Sequence, residues 1–491
     1  SSATKHLVID ESARNEVESE LRSILNETST RIHCVQPTQS SIETLSLAIK
    51  GIPEDSKITV LLVTTIPNEL PNENEVLIDY LESHNEEWAV ISENENQIYF
   101  HRKNNKNLFT GNAFTGCFTV SKTILEKAIQ SLEFETDLIE VVSKIYQFSP
   151  LEFKKSPWID CGHEINYYKA KKELINSRSF NQIQVTESDI VIKKSQHIQK
   201  LMDEVNYIKC LPASISVFFP RIISEYEVDN STYAYEISYY SMPNVAELML
   251  YWDLKPNHWR LIFEKFSIVL DSFRNVKFSF SFEQHTDFYF GKFDNRVHEF
   301  LISVGDTTKK QLTESTLVIN SSEILTLNAL LSFIEEKVKE IYGSTDHCIM
   351  HGDFCFNNIL FEVSTNTIKL IDSRGSYSHD YKGIYGDQLY DCAKLLHSSV
   401  YGYDYLVNDL FELTEDQDVI TLQFNWRENR ELLSDLSKNL IFRMGFEYQD
   451  VKFVVGLLFL SMTPLHNDSP VRQKAMFIHG LCILNEVYNE Q

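Results

Sequence analysis

The sequence predicts an α/β domain at the N-terminus, followed by a larger α+β domain that begins rich in strands and becomes mostly helical. Three observations lead to this prediction. The chain has 491 residues, more than one hydrophobic core holds, since cores stop growing near about 250 to 300 residues. Short apolar runs alternate with amphipathic stretches up to about residue 150. β-branched and aromatic residues then concentrate between 183 and 240, and helical periodicity dominates from residue 244 onward.

The composition narrows the possible functions. With 45 Lys and Arg against 70 Asp and Glu, the formal net charge is −25, which excludes a general binder of nucleic-acid backbones. The hydrophobic fraction of 43% supports packed cores. Eight cysteines are scattered without CxxC pairs, so we expect reduced, buried thiols. Neither a membrane span nor a signal peptide is recognisable, and a cytoplasmic protein is expected.

The first domain is predicted over residues 1–180. Its helices are expected at 16–25, 41–50 and 121–132, and a basic amphipathic helix that follows a turn is expected within 157–180. The run at 58–63 reads as a strongly buried strand. Further strands are predicted at 31–35, 88–91, 97–101 and 114–120.

In the second domain, strand-like segments are predicted at 183–195, 221–228 and 233–240, with a helix that begins near residue 197 between the first two. The helical part is interrupted near 348–375, where two strand-like runs surround a polar loop. This loop is the most informative stretch of the chain.

The loop reads HGDFCFNNIL and is followed by KLIDSRG, so it carries the pattern HGDxxxxN and a later aspartate at the end of a strand. A phosphoryl-transfer site needs one carboxylate that accepts the hydroxyl proton, and a carboxylate and an amide that hold Mg²⁺ on the nucleotide phosphates. Asp353, Asn358 and Asp372 supply these three groups. A structural cap is the alternative role of an aspartate beside a turn, but the coincidence of all three residues favours the functional interpretation.

Together with GDQLYDCAKLLHS, these motifs resemble the aminoglycoside phosphotransferase and choline kinase superfamily, and most of all its branch in capsule and surface-polysaccharide gene clusters. The resemblance covers about residues 180–491. It implies a bilobal protein-kinase-like fold with an N-lobe at 181–243 and a helical C-lobe at 244–491. It also implies ATP and Mg²⁺ as cofactors.

The resemblance assigns a role to each residue of the motif. Asp353 matches the base of the catalytic loop, and His351 matches the histidine that shapes this loop. Asn358 and Asp372 match the metal ligands. The proline that usually follows the metal-binding aspartate is replaced by Ser373, which leaves the ligand itself intact.

The N-lobe must supply a cation for the phosphates and an acid that fixes this cation. In DIVIKKSQ, strand alternation places Lys193 and Lys194 on opposite faces. Lys193 is favoured because it directly follows the apolar run, with Glu204 as its partner, whereas two solvated surface residues are the alternative. The segment that contains Tyr240 and Met242 resembles the linker between the lobes, whose backbone would bind a purine edge.

Four further polar residues of the C-lobe have open roles. Asp387 and Asp391 share a helix face, and the resemblance favours a structural role for Asp391, which would brace the catalytic loop. His466 and Asp468 follow an apolar helix, where they either line the acceptor pocket or form a helix-terminal turn.

The first domain resembles the sugar-1-phosphate nucleotidyltransferases, but only in part. The glycine-rich phosphate loop of that family is absent, Thr64 and Thr65 stand where a metal-binding aspartate is expected, and only Asp160 matches a family acid. Loss of these groups removes the electrostatic stabilisation on which nucleotidyl transfer depends. We expect a noncatalytic scaffold, and binding of a nucleotide or sugar without turnover is the alternative.

These observations favour an ATP-dependent kinase that phosphorylates a hydroxyl of a sugar or polyol intermediate in surface-polysaccharide biosynthesis. The alternatives are a bifunctional kinase and nucleotidyltransferase, and a noncatalytic pseudokinase-like binding module. The expected partner is a small-molecule acceptor, and neither nucleic acid nor a membrane span is expected.

Overall fold

The chain divides into two units, Ser1–Ile175 and Asn176–Gln491. A computed structural model describes residues 5–10, 30–35, 40–62, 64–80, 88–95, 97–102, 111–133, 137–161, 170–172, 181–229, 231–314, 317–374, 381–416 and 419–490. No helix among these residues is long and apolar enough to cross a membrane.

The N-terminal unit is built around a mixed sheet whose longest strand, Asn112–Ser121, is buried along its length. This strand pairs antiparallel with three neighbours, and one of those pairs parallel with a further strand. Two smaller pairs lie outside this sheet. The described strands are β1 (Lys5–Asp10), β2 (Thr30–Val35), β3 (Lys57–Leu61), β4 (Thr65–Pro67), β5 (Glu75–Tyr80), β6 (Val90–Asn94), β7 (Gln97–His101), β8 (Asn112–Ser121), β9 (Glu152–Lys155) and β10 (Trp158–Asp160).

Three helices contribute to the core of this unit: α1 (Ser41–Ala48), α2 (Lys122–Gln130) and α3 (Leu138–Phe148). Helix α1 begins after Ser40, whose hydroxyl accepts the backbone N–H of Glu43 as an N-cap. Helix α3 turns an apolar face inward and packs on the sheet through side chains such as Val142 and Ile145.

The structure confirms most predicted elements of this unit, with two corrections. The strand predicted at 58–63 exists as β3, but it is not buried, because it pairs only with β8 and lies at an edge, where Leu61 is 45% exposed. Residues 158–160 form strand β10 rather than a turn. The predicted helix at 16–25 and most of the predicted basic helix lie outside the described residues.

The C-terminal unit begins with a small lobe in which every neighbouring pair of strands is antiparallel. Its strands are β11 (Asn181–Val185), β12 (Ile190–Ser195), β13 (Ile222–Asp229) and β14 (Thr232–Ser238), in the order β11-β12-β14-β13. Helices α4 (Ile198–Cys210) and α5 (Ala213–Ser216) follow β12. Leu201 and Val205 of α4 pack against Tyr233 and Tyr235 of β14 in a small apolar core.

The large lobe is mostly helical, as predicted, and contains most of the buried apolar residues of the chain. A π-helical turn at Asp287–Gly291 joins two of its helices. Its described helices are α6 (Val245–Tyr251), α7 (Pro256–Arg274), α8 (Phe282–Thr286), α9 (Lys292–Ser303), α10 (Asp306–Thr313), α11 (Leu327–Ile341), α12 (Gln388–Ser399), α13 (Tyr403–Val407), α14 (Arg430–Arg443), α15 (Tyr448–Met462) and α16 (Pro470–Asn489).

The strands of the large lobe form two antiparallel pairs near the predicted loop and one sheet that the sequence did not predict. The pairs are β17 (His347–Ile349) with β20 (Tyr385–Asp387), and β18 (Ile359–Glu362) with β19 (Thr367–Leu370). The unpredicted sheet consists of β15 (Leu317–Ile319), β16 (Ser322–Ile324), β21 (Phe411–Asp416) and β22 (Val419–Phe424), in the order β16-β15-β22-β21.

The described cysteines form no disulfide. Cys117, Cys348, Cys355 and Cys392 are buried, as expected, but the expectation is wrong for Cys210, which is exposed at the end of α4.

Helices α15 and α16 approach closely at two glycines. A Cβ atom on Gly480 would lie 2.9 Å from Leu460 Cγ and 3.1 Å from the carbonyl oxygen of Gly456. A Cβ atom on Gly456 would lie 2.7 Å from Leu484 Cγ. A backbone oxygen cannot move aside as a flexible side chain does, so at Gly480 the close approach of the helices requires glycine.

We therefore expect Gly480→Val to destabilise the protein by about 1 to 3 kcal/mol through overpacking. Urea denaturation followed by tryptophan fluorescence measures this change. Gly343→Val is the matched control because a Cβ atom there meets nothing within 4 Å. An equal effect of both substitutions would contradict the packing interpretation.

Candidate active site

The HGD segment, residues 351–353, follows β17, and its position is fixed by contacts to its backbone. Gly352 has φ +78°, and a Cβ atom there would lie 2.8 Å from Cβ of Arg374. The buried carboxylate of Asp391 on α12 accepts the backbone N–H groups of His351 at 2.7 Å and Gly352 at 2.8 Å. Asp391 therefore braces the loop, as the resemblance implied.

Asp353 is the acidic residue that this loop presents. Its Oδ1 lies 2.8 Å from Nζ of Lys394, and its Oδ2 accepts an N–H of the Asn358 side chain at 3.0 Å. Burial would raise the pKa of Asp353, but the positive charges of Lys394 and Arg374 outweigh burial and hold it well below its ordinary value. Asp353 is therefore an ionised acceptor at neutral pH, and its side chain is 31% exposed.

Asn358 and Asp372 lie on neighbouring backbone, since the N–H of Ile371 donates to the carbonyl of Asn358 at 3.0 Å. Asp372 has φ +58°, in the left-handed region that few residues other than glycine adopt, and its side chain is 50% exposed. Asn358 uses its amide nitrogen on Asp353, so its amide oxygen is the ligand atom that it can offer.

These two residues fit the donor set of a nucleotide-bound Mg²⁺. The described residues contain no group of three or more His, Cys, Asp or Glu side chains that could hold a metal by themselves. Mg²⁺ at such sites is held by one or two carboxylates together with phosphate oxygens and water. Asn358 and Asp372 would therefore hold the ion only together with the nucleotide.

Lys193 and Glu204 form a buried ion pair. Nζ of Lys193 lies 2.9 Å from each carboxylate oxygen of Glu204 and 2.9 Å from Oδ1 of Asp372. The hydroxyl of Tyr235 donates to Glu204 at 2.6 Å. Burial alone would lower the pKa of Lys193, but the carboxylates of Asp372 and Glu204 outweigh burial and hold it well above its ordinary value.

Lys194 lies on the other face of β12 and has no place in this cluster. The side chain of Lys193 is 8% exposed, whereas Lys194 is only partly buried and forms no ion pair within the part of the chain that the structure describes. Strand alternation separated the two lysines correctly, and burial distinguishes between them.

Tyr240 and Met242 lie in a segment without regular structure that connects β14 to α6. The backbone is anchored on both sides, because Tyr239 donates to Asp189 at 2.9 Å and Phe361 donates to the carbonyl of Pro243 at 3.0 Å. No backbone hydrogen bond between described residues uses the N–H or C=O groups of 240–242. The binding of a purine edge by this segment stays a prediction.

His351 is fully buried and shapes the loop rather than facing the cleft. Its Nδ1 accepts the backbone N–H of Asp353 at 3.2 Å, and its ring stacks on Phe219 with centroids 6.0 Å apart. Burial lowers the pKa of His351 to about 4, so the ring is neutral at physiological pH. His351 is therefore a positioning residue of the loop.

Sequence reasoning missed Lys394. Every residue of α12 is buried, and a lysine in such a helix needs an anionic partner. The lysine is visible in the helical segment GDQLYDCAK, but the identity of its partner, Asp353, depends on the fold. Burial would lower the pKa of Lys394, and Asp353 raises it above its ordinary value.

The remaining predicted polar residues have structural contacts. Asp387 caps α12 and accepts the hydroxyl of Tyr289 at 2.7 Å. Asp468 forms an ion pair of 2.7 Å with Arg472 at the start of α16. His466 is buried at the end of the 3₁₀ turn Thr463–His466. For Asp468, this geometry agrees with the helix-terminal alternative.

In the N-terminal unit, Asp160 of β10 is the direct neighbour of Thr65 on β4. Thr65 therefore occupies the position across from the only matching acid. Its hydroxyl donates to the carbonyl of Thr115 at 2.8 Å and is buried. A neutral threonine lacks the negative charge with which a carboxylate ligand binds Mg²⁺.

The C-terminal unit has a bilobal kinase-like fold. Its antiparallel sheet carries Lys193, which pairs with Glu204 on a helix. Its helical lobe carries the loop with Asp353 and Asn358, and Asp372 follows this loop and lies beside Lys193. These are the parts by which a kinase holds nucleotide, metal and acceptor. The N-terminal unit has a mixed α/β fold.

Comparison with family profiles and with curated proteins finds no match. Among solved structures, a thermostable mutant of aminoglycoside phosphotransferase APH(4)-Ia, in a ternary complex with AMP-PNP and hygromycin B, is 11% identical, and the match covers 66% of this chain and 99% of that chain with a TM-score of 0.39.

Two other solved structures are similar to parts of the chain. The GDP and kanamycin complex of APH(2")-IIia is 12% identical over 65% of this chain and 92% of that chain, with a TM-score of 0.36. A putative glucose-1-phosphate thymidylyltransferase from Bacillus anthracis, in complex with a sucrose, is 16% identical over 35% of this chain and 78% of that chain, with a TM-score of 0.31.

We expect Lys193→Met to destabilise the protein by about 3 to 5 kcal/mol, because it leaves Glu204 buried without its cation. Burial already raises the pKa of Glu204, so without Lys193 the folded state would bind a proton there. The loss should therefore be larger near about pH 8 than near about pH 5. Urea denaturation at both pH values measures it.

Lys194→Met is the matched control and should change the stability by less than about 0.5 kcal/mol. The double variant Lys193→Met with Glu204→Gln should regain part of the loss, since it removes both charges. Equal effects of the two single lysine variants would show that the buried ion pair does not stabilise the fold.

Proposed function

We propose that the C-terminal unit is an ATP-dependent kinase that transfers a phosphoryl group to a hydroxyl of a small molecule. The observation that supports this proposal most directly is the convergence of Asp353, Asn358, Asp372 and Lys193 from separate elements on one cleft. Bound Mg²⁺ and ATP would supply the phosphoryl group and neutralise its developing charge.

Asp353 would accept a hydrogen bond from the acceptor hydroxyl and orient it. Because Lys394 and Arg374 keep the pKa of Asp353 low, its main contribution is orientation, and it takes up the proton only as the hydroxyl becomes acidic during transfer. This agrees with a reaction in which positioning and electrostatics contribute most of the rate. Lys193, fixed by Glu204, would bind nucleotide phosphates.

We further propose that the acceptor is a sugar or polyol intermediate of surface-polysaccharide assembly. The support is the resemblance of the loop text HGDFCFNNIL and of GDQLYDCAKLLHS to the capsule branch of the superfamily. For the N-terminal unit, we propose a noncatalytic role, supported by the threonine that lies across from Asp160.

Asp353→Asn should lower turnover by about 10² or more, since it removes the charge that orients the hydroxyl and the site for its proton. Affinity for Mg·AMP-PNP should change little, which calorimetry measures beside an ADP-release assay. Asp271→Asn is the control, because Asp271 forms an exposed surface ion pair with Arg443. Near-normal turnover of the Asp353 variant would exclude the proposed role.

Asp372→Ala should raise the Mg²⁺ concentration at which ATP stabilises the protein against heat, by about tenfold or more, because one of the two protein ligands is lost. The readout is the melting temperature against Mg²⁺ at fixed ATP. Glu335→Ala is the control, since Glu335 pairs only with Lys339 on the surface. An unchanged Mg²⁺ midpoint in the Asp372 variant would reject the metal assignment.

A further inference from the structure

Beside Asp353, four cationic side chains gather on the large lobe of a chain that is strongly acidic overall. Lys292 and Arg296 lie one turn apart on α9, Lys394 lies on α12, and Arg374 follows the metal-binding aspartate. Arg374, Arg296 and Lys394 each lower the pKa of Lys292, so the four side chains share one electrostatic environment. We call these four residues the cationic cluster.

The hydroxyl of Tyr390 joins the members of the cationic cluster. Nζ of Lys292 donates to it at 2.7 Å, and Arg374 interacts with it electrostatically. A tyrosine oxygen that accepts from a lysine keeps its own proton free to donate. Tyr390 and Lys394 lie one turn apart on α12, so the Tyr390 hydroxyl and Lys394, which pairs with Asp353, lie on the same face of this helix.

Few negative charges compensate the cationic cluster. Lys394 is paired with Asp353, but no carboxylate lies within ion-pair distance of Lys292, Arg296 or Arg374 in the described ranges of the chain. Among the described residues, Arg296 donates to the carbonyl of Ser461 at 3.3 Å. Burial and then the neighbouring cations hold the pKa of Lys292 well below its ordinary value, and a bound anion would restore the charge of this side chain. Like charges that are held together without partners indicate a site for an anion.

The two oxygens of Asp353 separate the cationic cluster from the metal ligands. Oδ2 faces Asn358, whereas Oδ1 faces Lys394. The nucleotide phosphates have their own cations in Lys193 and in the ion that Asn358 and Asp372 would hold. The cationic cluster is therefore on the acceptor side of Asp353.

A π-helical turn sets the position of Lys292. Residues 287–291 form this turn directly before α9, and a Cβ atom on Gly291 would lie 2.6 Å from Oδ1 of Asp287. π-helical turns are rare and are found frequently at functional sites. Here the turn brings Lys292 to the Tyr390 hydroxyl.

We propose that the acceptor carries a phosphate group, which binds to Lys292, Arg296, Arg374 and the hydroxyl of Tyr390 while its free hydroxyl meets Asp353. The substrate class would thus be a phosphorylated sugar or polyol. A phosphate dianion carries more charge and more acceptor oxygens than a carboxylate, so it suits several cationic donors that converge from different directions. This inference rests on the proposed kinase function.

The test uses the full chain saturated with Mg·AMP-PNP, so that the nucleotide phosphate positions are filled, and inorganic phosphate as the probe. The melting temperature should rise with phosphate and saturate, and acetate at equal concentration should not reproduce this rise. The double variant Lys292→Met with Arg296→Met should need at least about tenfold more phosphate, since it loses two charge-assisted hydrogen bonds. Arg296→Lys should keep most of the response.

Lys309→Gln, an exposed cation on α10, is the control and should respond like wild type. No phosphate response in wild type, or an equal response in wild type and the double variant, would overturn the inference. A double variant that loses Mg·AMP-PNP binding would show that these cations serve the nucleotide and would also overturn it. Failure of wild type to bind Mg·AMP-PNP would instead reject the kinase function itself.

Discussion

Lys193 belongs to the sheet of the small lobe and Asp372 follows a hairpin of the large lobe, and an ion pair of 2.9 Å joins them. This contact joins the small lobe to the large lobe and brings together the cation proposed to bind phosphate and the acid proposed to bind the metal. Glu204 keeps Lys193 extended in an apolar setting, where its charge acts with little screening by water. Without this arrangement, the loop aspartate would face an incomplete site.

A second set of contacts, made by buried side chains, fixes the backbone of the HGD loop. Asp391 accepts two backbone N–H groups, His351 accepts a third through its ring, and none of these side chains reaches the cleft. These buried residues hold the loop that carries the groups proposed to meet substrate. If one of them moved, it would leave a buried polar atom without a hydrogen bond, which disfavours rearrangement of the loop. This explains why the motif includes residues that touch neither nucleotide nor acceptor.

The sequence was sufficient to predict the parts of the site that are close in the chain. The spacing in HGDFCFNNIL predicted a shared loop, and strand alternation separated Lys193 from Lys194. The sequence was not sufficient to predict contacts between segments that are distant along the chain. Lys394 reaches Asp353 only through the packing of α12, and the sheet of β15, β16, β21 and β22 joins strands about a hundred residues apart, so local patterns do not identify the contact partner in either case. The exposure of β3 likewise depends on its neighbours.

The charge of the whole chain and the charge of the site have opposite signs. A net charge of −25 repels anions at long range, yet screening limits this repulsion to about 8 to 10 Å from exposed carboxylates at physiological salt. Inside the cleft, Lys193 and the cationic cluster act at contact distance and in a less polar medium, so their attraction exceeds the screened repulsion. The acidic surface would therefore disfavour large polyanions such as nucleic acids, whose charge extends beyond the site, whereas a small phosphorylated acceptor of the kind proposed above would meet mainly the cations of the site.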